Sequence, residues 1–406
     1  DITGLAYRGT WHSTDQIPLR GIQSGLIDRF ASPQTTDTGE TDRYSLQLNW
    51  QKKDASTTTK LDVWGGYYHL DLFSDFTYFL DDPVRGDQFE QYDKRYFAGA
   101  SLSREWRYDI GEKASTTTAG FQTRMDFIDG IGLYKTENRV RHRTVREDDI
   151  YEGSYSLFVN HETHLTDWLR AGIGVRGDLF YFDVDSDLAA NSGRDWAGIA
   201  SPKAHLIFGP WAETEIYLNG GLGFHSNDAR GVTIGPDPDS GAPVDAVDPL
   251  VRTKGAEIGV RTKAIEDLTL TAALWVLDSD SEFVYVGDAG RTEAGPASHR
   301  YGVELAAYWR PSDWITLDAE YAWSHARFKD VPPEESFIPG AVEHMFTAGL
   351  TLGKTEGLYS SLRARYFAPR PLEESGSVES KASFQVNARL GYRRNDWDFA
   401  VDCLNL

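Results

Sequence analysis

The sequence predicts an all-β fold, a transmembrane antiparallel up-and-down β-barrel, and three observations predict it. Apolar and polar residues alternate over strand-length stretches, tight turns alternate with long loops along the chain, and tryptophans crowd the strand ends beside the tight turns.

The alternation is clearest in the C-terminal half. Phe384, Val386, Ala388, Leu390 and Tyr392 fall on one strand face, with Gln385, Asn387, Arg389, Gly391 and Arg393 on the other. Ile315, Leu317, Ala319, Tyr321 and Trp323 oppose Thr316, Asp318, Glu320, Ala322 and Ser324 in the same way. So do Tyr301, Val303, Leu305, Ala307 and Trp309 against Gly302, Glu304, Ala306 and Tyr308. In a water-soluble sandwich the apolar face meets a second sheet, whereas in a barrel it meets lipid and the polar face lines a lumen. Charges in mid-strand, at Arg363, Arg365, Arg389, Arg393, Asp318 and Glu320, suit a solvated lumen and an exposed sheet face equally.

The connections separate these cases. Short ones run over Lys53 to Thr57, Asp109 to Ala114, Thr166 to Asp167, Pro210 to Glu213, Glu266 to Asp267, Pro311 to Trp314, Lys354 to Gly357 and Arg394 to Asp396. Between them lie long ones: Thr14 to Thr41, Asp71 to Tyr92, Asp129 to Asp149, Asp185 to Asp195, His225 to Pro249, Asp278 to Ser298, Lys329 to Val342 and Pro369 to Lys381. Such alternation belongs to outer-membrane barrels, with periplasmic turns and extracellular loops. About seventeen strands follow, each near the ten or so residues a tilted membrane strand requires. Bacterial single-chain barrels have even strand numbers, so the last segment, Trp397 to Leu406, is expected to lack a closing neighbour and leave an open seam. Trp50, Trp106 with Tyr108, Trp168, Trp211, Trp309, Trp314 and Trp397 would form the girdle on the turn side.

Composition agrees. The 406 residues include 20 Tyr, 20 Phe and 12 Trp, and no low-complexity stretch divides them, so residues 1–406 read as one barrel domain. Mean hydropathy is −0.47, and no apolar run reaches the length of a helical span. That leaves a barrel open, since only every second barrel residue faces lipid. Asp1 to Thr10 reads as strand and not as a signal peptide, so the chain is expected to start inside its fold. A single cysteine, Cys403, allows no internal disulfide, and a net charge of −21 argues against a nucleic-acid partner.

Several segments resemble the TonB-dependent receptor family. They are Gln16 to Phe30 (QIPLRGIQSGLIDRF), Phe224 to Gly231 (FHSNDARG) followed by Pro249 to Thr262 (PLVRTKGAEIGVRT), Phe337 to His344 (FIPGAVEH), and the ending Asp402 to Leu406 (DCLNL). Together they extend over nearly the whole chain. The resemblance implies a barrel of about twenty-two strands, of which this chain starts near the fifth. It implies that an N-terminal plug with its TonB box, the first few strands and the last one lie outside this sequence. By the same resemblance the protein sits as a monomer in the lipid of a Gram-negative outer membrane. There it takes up a scarce ligand such as a ferric siderophore or other metal chelate, energised by TonB and the inner-membrane ExbB–ExbD complex.

No residues assemble into a catalytic constellation, so an enzyme is not expected. Gly172, Gly174 and Gly177 spell G-x-G-x-x-G, but inside a strand, where small residues of a barrel wall are the simpler reading. His161, Glu162 and His164 miss the zincin spacing, and on a strand the two histidines face opposite ways. Ser24 beside Gly25 lacks the nucleophile elbow. Ligand contact is expected from the long loops, through Arg20 with Phe30, through the aromatic group Phe73, Phe76, Tyr78 and Phe79, and through His225, Asn227, Asp228 and Arg230. Two acidic triplets, Asp183, Asp185 and Asp187 and then Asp278, Asp280 and Glu282, each read as sharing a strand face near the loops. Either triplet could ligate calcium, with a solvated acidic rim as the simpler reading. The alternative functions are a passive porin-like channel, with a long loop folded inward, and an adhesin that uses the same loops.

Overall fold

The structure, a computed structural model, describes residues 1–13, 15–286 and 291–406. Thr14, at the start of the first expected long loop, and positions 287–290 lie outside the described residues. The first nine strands are β1 (Ile2–His12), β2 (Thr38–Lys53), β3 (Thr57–Ser74), β4 (Phe89–Ile110), β5 (Lys113–Glu137), β6 (Val140–Thr166), β7 (Leu169–Ser186), β8 (Gly193–Trp211) and β9 (Thr214–Ser226). Then come β10 (Leu250–Ile265), β11 (Leu268–Ser279), β12 (Phe283–Val286), β13 (Arg291–Ala294), β14 (Ser298–Ser312), β15 (Ile315–Phe328), β16 (His344–Gly353), β17 (Gly357–Phe367), β18 (Ser383–Arg394) and β19 (Trp397–Cys403). Helices α1 (Leu19–Gln23) and α2 (Ala229–Val232) are single turns, and none among the described residues is long and apolar enough to cross a membrane.

Seventeen strands form one antiparallel meander in which each strand pairs with its neighbours in sequence, and β12 and β13 make a separate hairpin within the β11–β14 connection. β1 pairs with β2 and β19 with β18, and no ladder joins β1 to β19, so the sheet is not closed. All eight expected short turns are present. Three have non-glycine residues at positive φ, at Ala212 and Glu213, Asp267, and Asn395, and two more place a glycine there, Gly111 and Gly357.

One long connection was misread. Asp129 to Asp149 is not a loop: β5 and β6 continue to Glu137 and Val140, and reverse through Asn138 and Arg139, with φ of 51° and 68°. Two adjacent positive φ values make the two-residue turn whose twist matches its strands. Register shifts between Ile128 and Ile131, and again beyond Leu133, broke the strict alternation that marks a strand in sequence.

The register keeps the two faces separate across strands. Leu317 lies between Trp309 and Leu350, while Asp318 lies between Tyr308 and Gly349. Large side chains on the apolar face are open to the surroundings: Leu46 is 61% exposed, Leu157 67% and Ile173 66%. In water this would forfeit about 25 cal/mol for each Å² of apolar surface, whereas hydrocarbon outside the wall removes that cost. The expected girdle is exposed beside the turns, with Trp168 stacked on Trp211 at 6.2 Å.

A second aromatic belt runs nearer the loops. Tyr44, Tyr67, Tyr96, Phe127 and Tyr151 are successive partners across β2 to β6, and Tyr181 and Trp196 extend the belt to β8. The centroids of Tyr67 and Tyr96 are 5.1 Å apart and those of Tyr181 and Trp196 4.4 Å. Two belts bounding an apolar band are what a wall with two membrane interfaces requires.

Rings on the polar face lie flat against the wall because glycines make room for them. A Cβ on Gly66 would come 2.6 Å from Phe97 Cζ, and one on Gly99 would come 2.5 Å from Trp64 Cε2 and 2.8 Å from the Thr123 carbonyl. Gly99→Val is expected to lower unfolding stability by about 1–3 kcal/mol through overpacking. The check is the denaturant midpoint of the protein in detergent, and an unchanged midpoint counts against the close fit. Of the nucleotide-like glycines, Gly172 belongs to the same pattern, with the His205 imidazole in the place of its Cβ, whereas a Cβ on Gly177 would meet nothing within 4 Å.

Candidate functional site: the mouth and the upper lumen wall

Buried apolar residues collect at the loop end of the sheet. Ile128, Ile131 and Ile150 with Phe182 and Val184 project from the polar face of β5 to β7, and Ala229, Val232 and Val247 of the β9–β10 loop pack onto them. This loop therefore folds inward over the lumen wall. Asp228 caps α2 by accepting from the Arg230 amide at 2.8 Å and holds the Arg230 guanidinium at 2.7 Å. Burial alone would raise the Asp228 carboxyl, but Arg230 outweighs it and holds the group down at about 2. Asn227 donates to the Asp248 carbonyl at 2.6 Å, closing the loop base, and His225 meets the Ser281 carbonyl at 3.2 Å. Beneath lies Arg146, 1% exposed, with its Nε 2.5 Å from Asp148 and its Nη2 3.4 Å from the Arg230 carbonyl.

A second unit joins the loop after β1 to the loop after β3. Tyr78 donates its hydroxyl to the Gln16 carbonyl at 2.7 Å, and the Asp75 amide donates to Asp15 at 2.9 Å. Gln88 donates to Thr36 and to Asp37, each at 2.8 Å, and accepts from Thr136 and from the Arg139 amide. It thereby ties the first loop to the tall β5–β6 hairpin. Phe73 is buried with Arg139 over its ring at 5.3 Å, and Phe76 packs edge-on against Phe89 at 5.0 Å.

The residues expected to touch ligand therefore divide. His225, Asn227, Asp228, Arg230, Phe73 and Tyr78 are engaged in holding loops, whereas Arg20 on α1 is exposed and Phe76 is 38% exposed. Phe30 and Phe79, expected with them, are exposed on the same two loops.

The acidic triplets do not share strand faces as expected. β7 ends at Ser186, leaving Asp187 in the following loop, and β11 ends at Ser279, leaving Asp280 and Glu282 beyond it. Asp183 holds Arg194 at 2.9 Å, and Asp187 accepts from the Glu147 amide at 3.0 Å. Asp185 stands opposite Asp149, whose carboxylate accepts from the Gly130 amide. Asp278 holds Lys329 and His299, each at 3.1 Å, Asp280 faces Lys254 at 3.6 Å, and Glu282 holds Arg300 at 2.7 Å. Among the described residues no three His, Cys, Asp or Glu side chains converge as metal ligands.

Below the mouth the lumen wall carries charge in opposed pairs. Arg124 binds Asp126 at 2.7 Å, Arg176 binds Asp178 at 2.8 Å, and Glu215 sits between Arg170 and Arg261 at 2.6 and 2.5 Å. Farther round, Arg363 meets Asp318, Arg389 meets Asp402 and Arg393 meets Asp398. Such a wall is wettable yet self-neutralising.

The family model described as "TonB dependent receptor-like, beta-barrel" matches residues 2–406. Among solved structures, the ferric citrate transporter FecA superposes with a TM-score of 0.74 at 13% identity, over 100% of this chain and 62% of that one. The ferric yersiniabactin uptake receptor FyuA from Yersinia pestis gives 0.70 at 14% identity, over 91% and 57%. The copper transporter OprC gives 0.70 at 15% identity, over 91% and 60%. The chain thus spans less than two thirds of each of these proteins, and at such identities the likeness shows the fold. No curated protein matches the sequence. With the family model matched from end to end on a seventeen-stranded antiparallel wall, the chain belongs to the β-barrel family of TonB-dependent receptors.

Proposed function

We propose that this chain is the translocation wall of an outer-membrane receptor that takes up a scarce metal chelate, such as a ferric siderophore, with energy delivered by TonB and the ExbB–ExbD complex. The family match over residues 2–406 carries the reading. The wall supports it physically: between its β1 and β19 edges the strands satisfy one another's backbone hydrogen bonds in lipid, and its polar face is wet and charged. Loops engage the ligand and the barrel performs no bond chemistry. The protein works as a monomer, since the apolar band between the two belts is matched by lipid.

One observation favours the porin-like alternative: the β9–β10 loop folds inward onto β5 to β7, as a constriction loop does. Uptake of radiolabelled ferric chelates by iron-starved cells separates the two. The receptor reading expects uptake that disappears without this protein, without TonB, or with a protonophore. Uptake indifferent to TonB and to the protonophore, together with steady single-channel conductance, would establish the channel instead.

A further inference from the structure

We propose that Arg43, with Tyr7, Tyr68 and Phe97 around it, is an anion-binding patch on the upper lumen wall, and that the chelate carried is negatively charged. The inference rests on the uptake reading and adds the sign of the ligand's charge and the residue that reads it. Tyr7, Arg43 and Tyr68 are direct partners across β1, β2 and β3, so they share the polar face. Their level is set by Tyr44, the next residue, which belongs to the belt nearer the loops. Phe97 lies across Gly66 and brings its ring to 5.7 Å from the Arg43 guanidinium carbon.

Arg43 stands out by what surrounds it. Arg124 also lies 5.7 Å over Phe97, yet it is neutralised by Asp126. Asp42, adjacent in sequence, points to the opposite face, toward Arg8 and His69. Although the chain has 62 acidic residues against 41 lysines and arginines, Arg43 forms no ion pair among the described residues. Arg365, another lumen-face arginine, forms no ion pair and lies over no ring among the described residues. A guanidinium held by a ring face keeps its fork of donors free for paired oxygens, and neighbouring phenols can donate to the same oxygens. Carboxylate or catecholate oxygens of a metal chelate fit this geometry, and a flat chelator can lie against the rings.

Binding of two probes to the full-length receptor in outer-membrane vesicles tests this: an anionic ferric tris-catecholate and an electroneutral ferric tris-hydroxamate. We expect the native protein to prefer the catecholate, Arg43→Gln to weaken it roughly 10- to 100-fold, and Arg43→Lys to recover part of the loss. Tyr68→Phe, which removes one hydroxyl and no packing, is expected to weaken it a few-fold. Preference for the neutral probe, equal loss of both probes in Arg43→Gln, or unchanged catecholate binding overturns the patch while TonB-dependent uptake stands. Binding of neither probe, with TonB-independent conductance, overturns both.

Discussion

Asp148→Ala is expected to release the inward loop: amide protection over Ala229–Val232 and at Val247 should fall by about two to three orders of magnitude. Asp148 and Arg146 are both sealed under the β9–β10 loop, at 1% exposure each. Removing one partner of such a pair costs about 3–5 kcal/mol because the other charge stays buried without compensation. Arg146 can shed that cost only by moving the loop whose Arg230 carbonyl it meets. The pair is itself imperfect: Arg146 Nη1 and Asp148 Oδ1 are buried without hydrogen-bond partners. Replacing both residues together, as Arg146→Met with Asp148→Leu, should therefore retain protection nearly intact. Hydrogen exchange on the two variants decides the matter. Protection retained in both would mean that the loop is held by its apolar contacts with Ile128, Ile150 and Phe182 and that the ion pair contributes little, whereas equal loss in both would mean that the Arg146 contact to the Arg230 carbonyl itself holds the loop.

The loop's inward path was beyond reach of the sequence for a physical reason. His225, Asn227, Asp228 and Arg230 are polar residues in a long connection, which is also the composition of a ligand-binding loop. Their partners are distant in sequence, Arg230 meeting Arg146 across 84 positions. What was legible was whatever repeats locally. Alternation placed Asp318 and Leu317 on opposite faces correctly, and most short turns were readable because a tight reversal favours Gly, Asn or Asp, as at Gly111, Asp267 and Asn395. The β5–β6 hairpin failed because bulges at Ile128 and Leu133 reset the period.

The belt nearer the loops shows the same limit from another side. Trp50 and Trp106 adjoin obvious turns, whereas Tyr67 and Tyr96 lie deep inside their strands, and only cross-strand register lines them up. Arg43 was missed because an unpaired arginine is defined by the carboxylates that do not reach it. Distance along the chain carries no such information.

The first loop's docking is expected to weaken as pH rises from about 4 to about 7 and to change little above that. Burial, with the Asp15 and Asp75 carboxylates close by, pushes Asp37 up to about 7, and burial raises Asp75 as well. Gln88 opposes the shift by donating to Asp37, but the other neighbours of the carboxyl are acids. The docked form therefore holds a proton that the undocked form has released. Such a group favours docking fully below its undocked pKa, and the advantage is lost as pH climbs to the docked value. A shift of about three units corresponds to roughly 4 kcal/mol at most, less whatever the loops recover by admitting water. A fluorescent pair on exposed Leu26 and Val84 of the full-length receptor would report the separation of the two loops. Asp37→Asn, which keeps the shape and cannot ionise, should abolish the pH response while leaving the loops docked. A response that persists in that variant would assign the titration to Asp75, whose Oδ2 is buried without a hydrogen-bond partner.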